Sequence, residues 1–323
     1  MKKLALFILL IFTGLRIFAQ DASLDASLTE SPVSVKTLSG TVEGQLVMPK
    51  NTSSKIPLVI IIADAGPTDL NGNNVKTGVA GNTYKLLAND LGKKGIATVR
   101  YDKRLVGQSV SKTKESQLHI EDYSDDVVSL MSTFTDDQRF SKIILFGHGE
   151  GALVALIAGY EQPQKGFILA EGFADRGEKI IADEMKTKPK FLADEVKTIM
   201  DSLKKGKTTA TVDPSIYFIA RPNIQPFIMS WCRYDPIHAV KTAKVPVMII
   251  QGTTDLQVPV NNGERFKKAK SEATYLQVSN MNHILKEAPA DPEQNVATYD
   301  KGNLPIKPEV ITGIVDFINN KLK

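Results

Sequence analysis

The sequence predicts an α/β fold with a mostly parallel central sheet flanked by helices, and three observations predict it. Short β-branched apolar runs, such as Leu58-Val59-Ile60-Ile61-Ile62, alternate with longer stretches of helical spacing. The runs are continuously apolar, as in strands buried on both faces. One stretch of about 70 residues, Asp175 to Lys244, breaks the alternation where an ordinary crossover between parallel strands needs about a dozen, and so reads as an inserted, largely helical cap.

Taken in order, residues 1–19 open with Lys2-Lys3, continue through the apolar run Leu4 to Leu15 and offer Ala19 as a cleavage point, the layout of a secretory signal peptide. The run is interrupted by Arg16 and falls short of the roughly 20 residues that a spanning helix needs. The chain is therefore expected to be exported, periplasmic or secreted, with no stable membrane anchor after cleavage. Residues 20–34, rich in Ser, Asp, Thr and Ala, are expected to form a flexible lead-in. The core then occupies residues 35–174 and 245–323, and the cap residues 175–244.

The core is expected to begin with an antiparallel hairpin from Val35 to Met48, with Gly40 and Gly44 at turns. Strands are expected at Pro57 to Ala63, Ile96 to Tyr101, Lys142 to Phe146, Gly166 to Ala170, Val245 to Gln251 and Thr274 to Val278. Helices are expected at Tyr84 to Leu91, Ile120 to Phe134, Ala152 to Tyr160 and Asn261 to Ala269. Within the cap, Glu178 to Met185 and Phe191 to Leu203 have helical spacing, while Pro214, Pro222 and Pro226 punctuate a less regular second half. Ligands of open α/β sheets bind beyond the carboxyl ends of the strands. An insertion leaving a strand end is placed to roof that crevice, with Phe218, Phe227 and Trp231 walling a pocket.

Composition excludes several classes. The 40 Lys and Arg against 36 Asp and Glu become nearly balanced once the three basic residues of the leader are removed, so nothing points to nucleic acid. The Lys204-Lys205 and Lys267-Lys268 runs read as solvated faces. Cys232 is the only cysteine, which excludes an internal disulfide and leaves stability to a packed core.

The chemistry-bearing residues follow strand ends. Gly147-His148-Gly149-Glu150-Gly151 lies between a strand and the small-residue helix start Ala152-Leu153-Val154-Ala155. This is the strand-turn-helix context of the nucleophile elbow G-x-S-x-G, with Gly149 where the serine belongs. Alone, the motif fits a glycine-rich turn of another α/β fold or a phosphate loop equally well. Downstream, Asp255 sits in the turn after one strand and His283 in the loop after the next. In that chain order the three positions resemble the α/β-hydrolase family. Ile61 to Asp69 is similar to the Gly-Ser-Gly-Pro-Thr-Asp loop of bacterial esterases and of proteins grouped with serine aminopeptidases, with Asp64 standing where those relatives carry glycine. Arg100 to Gly107 is similar to their Arg-Tyr-Asp-Lys-Arg-Gly-x-Gly segment, with Leu105 replacing a glycine, and reads as structural. Tyr234-Asp235-Pro236 fits the same resemblance, which runs from about Val35 to the C-terminal helix.

The resemblance implies an α/β-hydrolase fold and a carboxylic-ester hydrolase-like scaffold. It implies Asp255 and His283 as retained acid and base, and the backbone N–H groups of Ala65 and Glu150 as an oxyanion hole. Without a hydroxyl at Gly149, impaired or residual hydrolysis is expected. The alternatives are a non-catalytic protein that binds a small ester- or peptide-like ligand, or an active esterase or peptidase using another nucleophile (Ser109, Ser111 or Ser279) or an activated water. On this reading Gly149→Ser alone should restore most of a serine esterase. His148 and His119 are expected to play local structural roles, and His238 with Asp235 lacks a third metal ligand. With no metal motif and no dinucleotide fingerprint, no cofactor or metal is expected.

Overall fold

The computed structural model describes residues 23–322. The signal peptide expected at residues 1–19 lies outside them. The strands are β1 (Leu28–Lys36), β2 (Gly40–Pro49), β3 (Ile56–Ile62), β4 (Ala97–Tyr101), β5 (Val110–Ser111), β6 (Phe140–His148), β7 (Gly166–Ala170), β8 (Val247–Gly252) and β9 (Thr274–Val278). They form one sheet in the order β1-β2-β4-β3-β6-β7-β8-β9, with β5 pairing β2. From β4 to β9 every neighbouring pair along that order is parallel, and β1 and β2 form the antiparallel edge.

Both faces of this sheet are covered. The helices α1 (Thr83–Gly92), α2 (Ile120–Thr135) and α3 (Glu150–Glu161) follow β3, β5 and β6. In β3, Leu58, Ile60 and Ile62 point into one core with Leu130 of α2 and Leu156 of α3. Val59 and Ile61 point into the other, with Leu87 of α1. The strand period of two thus divides a continuous apolar run between two cores. The insertion carries α4 (Gly177–Met185), α5 (Lys190–Leu203), α6 (Tyr217–Ala220), α7 (Gln225–Trp231) and α8 (Pro236–Thr242). The core closes with α9 (Asn261–Ala269), α10 (Pro292–Val296) and α11 (Pro308–Lys321). Phe317 of α11 lies on the α1 side. Among the described residues no helix is long and apolar enough to cross a membrane.

Three expectations need correction. Residues 28–34 are not a flexible lead-in: they belong to β1, which pairs with β2 from Leu28 to Lys36. Polar residues dominate because only Leu28, Val33 and Val35 face inward, the pattern of an edge strand, where Pro32 is also tolerated. Gly44 is not in a turn but inside β2, where a Cβ would strike the carbonyl of Arg100 on β4. The turn falls at Thr37 to Gly40. The insertion builds its own core from Ile181, Val196, Ile199 and Ile216, among others, and does not wall a pocket with the aromatics expected to do so. Phe218 is exposed under Lys188, Phe227 stacks edge-on against Tyr123 of α2, and Trp231 bridges the insertion to the main core.

Candidate active site

The carboxyl ends of adjacent parallel strands deliver the site. Asp64 follows β3, Gly149 follows β6, Glu171 follows β7, Asp255 follows β8 and His283 follows β9. The chain leaves β3 toward β4 on one side while β6 lies on the other, so β3 and β6 flank the point where strand order reverses, the usual crevice of open α/β sheets.

Gly149 has φ +54° and ψ −118° between the end of β6 and the start of α3. Gly147 and Gly151 permit the turn: a Cβ on Gly147 would strike the backbone of Gly151 and Ala152, and one on Gly151 would strike the carbonyls of Ile62 and Ala63. The elbow geometry is therefore present. The space its side chain would fill is taken, because a Cβ at residue 149 would fall inside Asp64 Oδ1.

Asp64 occupies the place expected for the serine and for a substrate oxygen together. Its Oδ2 lies 2.9 Å from His283 Nε2, and its Oδ1 accepts the Glu150 N–H at 3.0 Å. The neighbouring Ala65 N–H adds to the influences that lower the carboxyl. Of the two backbone donors expected to form an oxyanion hole, the Glu150 N–H thus faces a side chain of the protein itself. His283 Nδ1 is 2.8 Å from Asp255 Oδ2, while Asp255 Oδ1 accepts the N–H groups of Gln257 and Val258 at 2.7 and 2.9 Å, which fixes the carboxylate. Gly149, Asp255, His283, Ala65 and Glu150 are all brought together, and Asp64 joins them.

Electrostatics follow from this packing. Burial favours neutral His283, but Asp255 and Asp64 on its two nitrogens more than offset it, and its pKa is well above the ordinary histidine value. Burial likewise pushes Asp64 up, and the charge and hydrogen bond of His283 then bring it below the carboxylate range. Asp255 is lowered by the same opposition of burial and His283. At neutral pH the trio is an imidazolium clamped between two carboxylates, and such a histidine has no lone pair for taking a proton.

His148 has the opposite charge state. Burial, then the neighbouring His283 at 4.7 Å between ring centroids, lowers its pKa to about 4. Its Nε2 lies 2.7 Å from the His283 carbonyl and must donate to it, so Nδ1 accepts the Tyr84 hydroxyl at 2.9 Å. That hydroxyl in turn accepts the Asp64 N–H at 2.9 Å. The elbow histidine therefore positions the backbone of both Asp64 and His283. Because an unfolded histidine titrates near 6.5, the unfolded chain binds a proton that the folded chain excludes between about pH 6.5 and 4. Stability should fall by up to about 3 kcal/mol as pH drops through that window. Urea midpoints at about pH 7 and pH 4.5 should show this slope in the natural chain and lose most of it in His148→Gln. An unchanged slope in the variant would assign the loss to another group.

Two residues of the site were not foreseen. Lys103, read in the sequence as part of a structural segment, is buried and donates to the Asp64 carbonyl at 3.0 Å and to Glu150 Oε1 at 3.1 Å, with Tyr123 beneath its ammonium. Glu171 is fully buried behind Asp255 in a left-handed conformation with φ +50°. Its oxygens take the Gly252 N–H at 2.7 Å and the Gln251 side chain. Burial, then Asp255 beside it, pushes this carboxyl well above its usual range and so favours the neutral acid. Nothing in the sequence marks it. Ser109, offered as an alternative nucleophile, instead bridges the Asp102 carbonyl and the Glu43 N–H. Ser111 lies in β5, bonded to Ser39.

Asp64, His148 and His283 place potential metal-ligand atoms within 4.8 Å of one another. They do not fit a metal as arranged. Both nitrogens of His148 already bond to protein groups, so a metal would have to displace Tyr84 or the His283 carbonyl, the two partners that orient that ring. His119 heads α2, its N–H donating to Asp122, and Asp235 caps the N–H of His238. A separate cleft of about 440 Å³ lies in the insertion, lined by Arg176, Met200, Met229 and Cys232, among others, and by none of the Asp64, His283 or Asp255 group.

Structures of known proteins decide the fold. The chain superposes on Est1E from Butyrivibrio proteoclasticus with a TM-score of 0.57 at 16% identity, over 90% of this chain and 98% of that one. Its overlap with the alpha/beta hydrolase GrgF from Penicillium sp. sh18 has a TM-score of 0.58 at 13% identity, over 91% and 99%. The fold is that of the α/β-hydrolases. The esterase PF2001 of Pyrococcus furiosus is similar as well, with a TM-score of 0.56 at 13% identity over 92% of this chain and 93% of that one. Residues 78–216 of this chain match the family model described as serine aminopeptidase, S33. The matched segment includes the elbow but not Asp64, Asp255 or His283. No curated protein matches the sequence.

Proposed function

We propose that this chain is an exported α/β-hydrolase-fold protein that forms no acyl-enzyme at residue 149, so that serine-type hydrolysis of esters or peptides is reduced to a residual level. The observation that carries this reading is the double engagement of Asp64, on His283 Nε2 through one oxygen and on the Glu150 N–H through the other, beside a residue with no side chain. Serine hydrolysis needs a hydroxyl, a neutral histidine and free oxyanion donors at the same moment. Here the first is missing, the second is held protonated, and of the third the Glu150 N–H is already taken by Asp64.

The ligand class is a small ester- or peptide-like molecule. Its support is the serine aminopeptidase match over residues 78–216 and the esterases of similar fold, one of which, Est1E, has been seen with ferulic acid bound. Export rests on the Lys2-Lys3 start and the apolar run that follows. Purified protein should hydrolyse a short-chain aryl ester only at a residual rate, orders of magnitude below that of an intact serine triad, and resist covalent labelling by an organophosphonate. Rapid turnover together with labelling of any serine would overturn the reading.

A further inference from the structure

The insertion holds a cleft of about 440 Å³ that shares no lining residue with the Asp64, His283 and Asp255 group. Its size falls within the range of about 300 to 1,000 Å³ typical of small-molecule sites. The end of α5 meets α7 there, and His119 at the start of α2 borders the same space, so the insertion and the core both contribute to its wall.

Each part of that wall restricts the occupant. One part is aliphatic: Met200, Leu203 and Ile228 are buried members of the insertion's own core, and Met229 is half-buried beside them. Unbranched thioether side chains conform readily to a flexible chain. Apart from the His119 imidazole no lining side chain is aromatic, so a planar aromatic acid finds little to stack on.

The polar part carries an excess of positive charge, with Arg176, Lys204 and Arg233 against the single acid Glu178. Both guanidinium groups are engaged. Arg176 donates to Glu178 at 3.0 Å and to the Cys232 carbonyl at 2.7 Å, and Arg233 donates to Glu121 at 2.8 Å. Lys204, the residue that ends α5, is exposed, and its nearest carboxylate among the described residues, Asp201, is 3.9 Å away, beyond hydrogen-bonding distance. A single open ammonium suits a monoanion such as a carboxylate, whereas a phosphate would call on arginine forks that are committed elsewhere. Burial, then Glu178, pushes the Cys232 thiol up to about 12, so at neutral pH it is an uncharged part of the wall.

We propose that this cleft binds a small aliphatic carboxylate, with its head group on Lys204 and its chain along Met200, Leu203, Ile228 and Met229. Recognition then has two separable parts. The head group supplies charge complementarity, and each further methylene that enters the cleft tightens binding by about fourfold until the apolar wall is covered.

Trp231, the only tryptophan of the chain, stands between the lining residues Ser230 and Cys232 and reports on the cleft. Decanoate titrated into the mature natural chain is expected to change its fluorescence saturably, with one-to-one stoichiometry by calorimetry. Hexanoate should bind more weakly than decanoate. Decanol, which keeps the chain without the charge, should bind at least about tenfold more weakly than decanoate. Lys204→Met removes the ammonium at an exposed position, and with the fold retained by circular dichroism it should weaken decanoate by a similar factor while leaving decanol unchanged. Lys205→Met, outside the wall, should behave as the natural chain does. No saturable decanoate binding, equal affinity for decanol, tighter binding of hydrocinnamate, or the same loss in Lys205→Met as in Lys204→Met would overturn the proposal. Aryl-ester turnover and organophosphonate labelling are separate readouts, so a failure here leaves the reading of residue 149 standing, and the reverse also holds.

Discussion

The double variant Asp64→Gly with Gly149→Ser is expected to hydrolyse a short-chain aryl ester at least about 10³-fold faster than the natural chain, while Gly149→Ser alone gains little. The ceiling is set by the roughly 10⁶-fold cost in turnover of removing the nucleophile from a working serine triad. Sequence reasoning alone assigns the whole gain to the serine. The structure divides it between two residues, because a Cβ at residue 149 collides with Asp64 Oδ1 and because Asp64 holds the Glu150 N–H that the tetrahedral intermediate needs. Asp64→Gly clears both obstacles. It also removes one of the two carboxylates that keep His283 protonated, which moves the imidazole toward the neutral form a serine requires. The serine would sit at φ +54°, a strain of about 1 to 3 kcal/mol, so the urea midpoint should fall as activity rises. The measurement is a four-protein cycle of turnover, organophosphonate labelling and stability. Equal activity in Gly149→Ser and in the double variant would mean that Asp64 swings aside at little cost, and a folded but silent double variant would mean that the Asp255 and His283 pair is not competent.

The same two residues mark where the sequence could be read and where it could not. Strands were legible because burial on both faces writes a continuous run such as Leu58 to Ile62, which few other environments permit. Asp255 and His283 were legible because chain order and strand ends locate them, and their 2.8 Å contact follows. The role of Asp64 was not. It and Gly149 are separate departures from the hydrolase pattern, each interpretable alone, and only the pairing of β3 with β6 puts the carboxylate of one into the space of the other. The signal was there as a coincidence: a side chain gained at one position and lost at another on loops that adjacent strand ends must bring together. Leu105 was legible in the same limited sense, since its φ of +66° is one that glycine, the residue of the segment it resembles, adopts without strain. β1 was missed because an edge strand needs only three buried apolar residues out of nine. Glu171 was missed because no local pattern distinguishes a buried neutral carboxyl from an exposed ionised one.

Arg104→Ala is expected to cost about 3 to 5 kcal/mol, a large effect for a residue that touches none of the reacting groups. The guanidinium is buried and bidentate on Asp126, with Nε and Nη2 at 2.8 and 2.7 Å from its oxygens. It also reaches Asp122 and Ser39 at 2.9 and 2.8 Å through Nη1. Truncation leaves the Asp126 carboxylate, itself only 1% exposed, without its counter-charge in the interior beside α2. Most of that cost is the stranded charge rather than the worth of the pair, since replacing a whole buried ion pair by apolar groups of similar volume is often neutral or stabilising. Arg104→Met combined with Asp126→Leu should therefore recover most of the loss, and urea midpoints for the two single variants and the double should show strong non-additivity. The site provides a second readout. Arg104 anchors the segment that presents Lys103 to the Asp64 carbonyl and the Glu150 carboxylate, so Arg104→Ala should also loosen Asp64. A loss below about 1 kcal/mol would show that Asp126 is readily rehydrated or protonated, and that the Lys103 segment holds its place without this anchor.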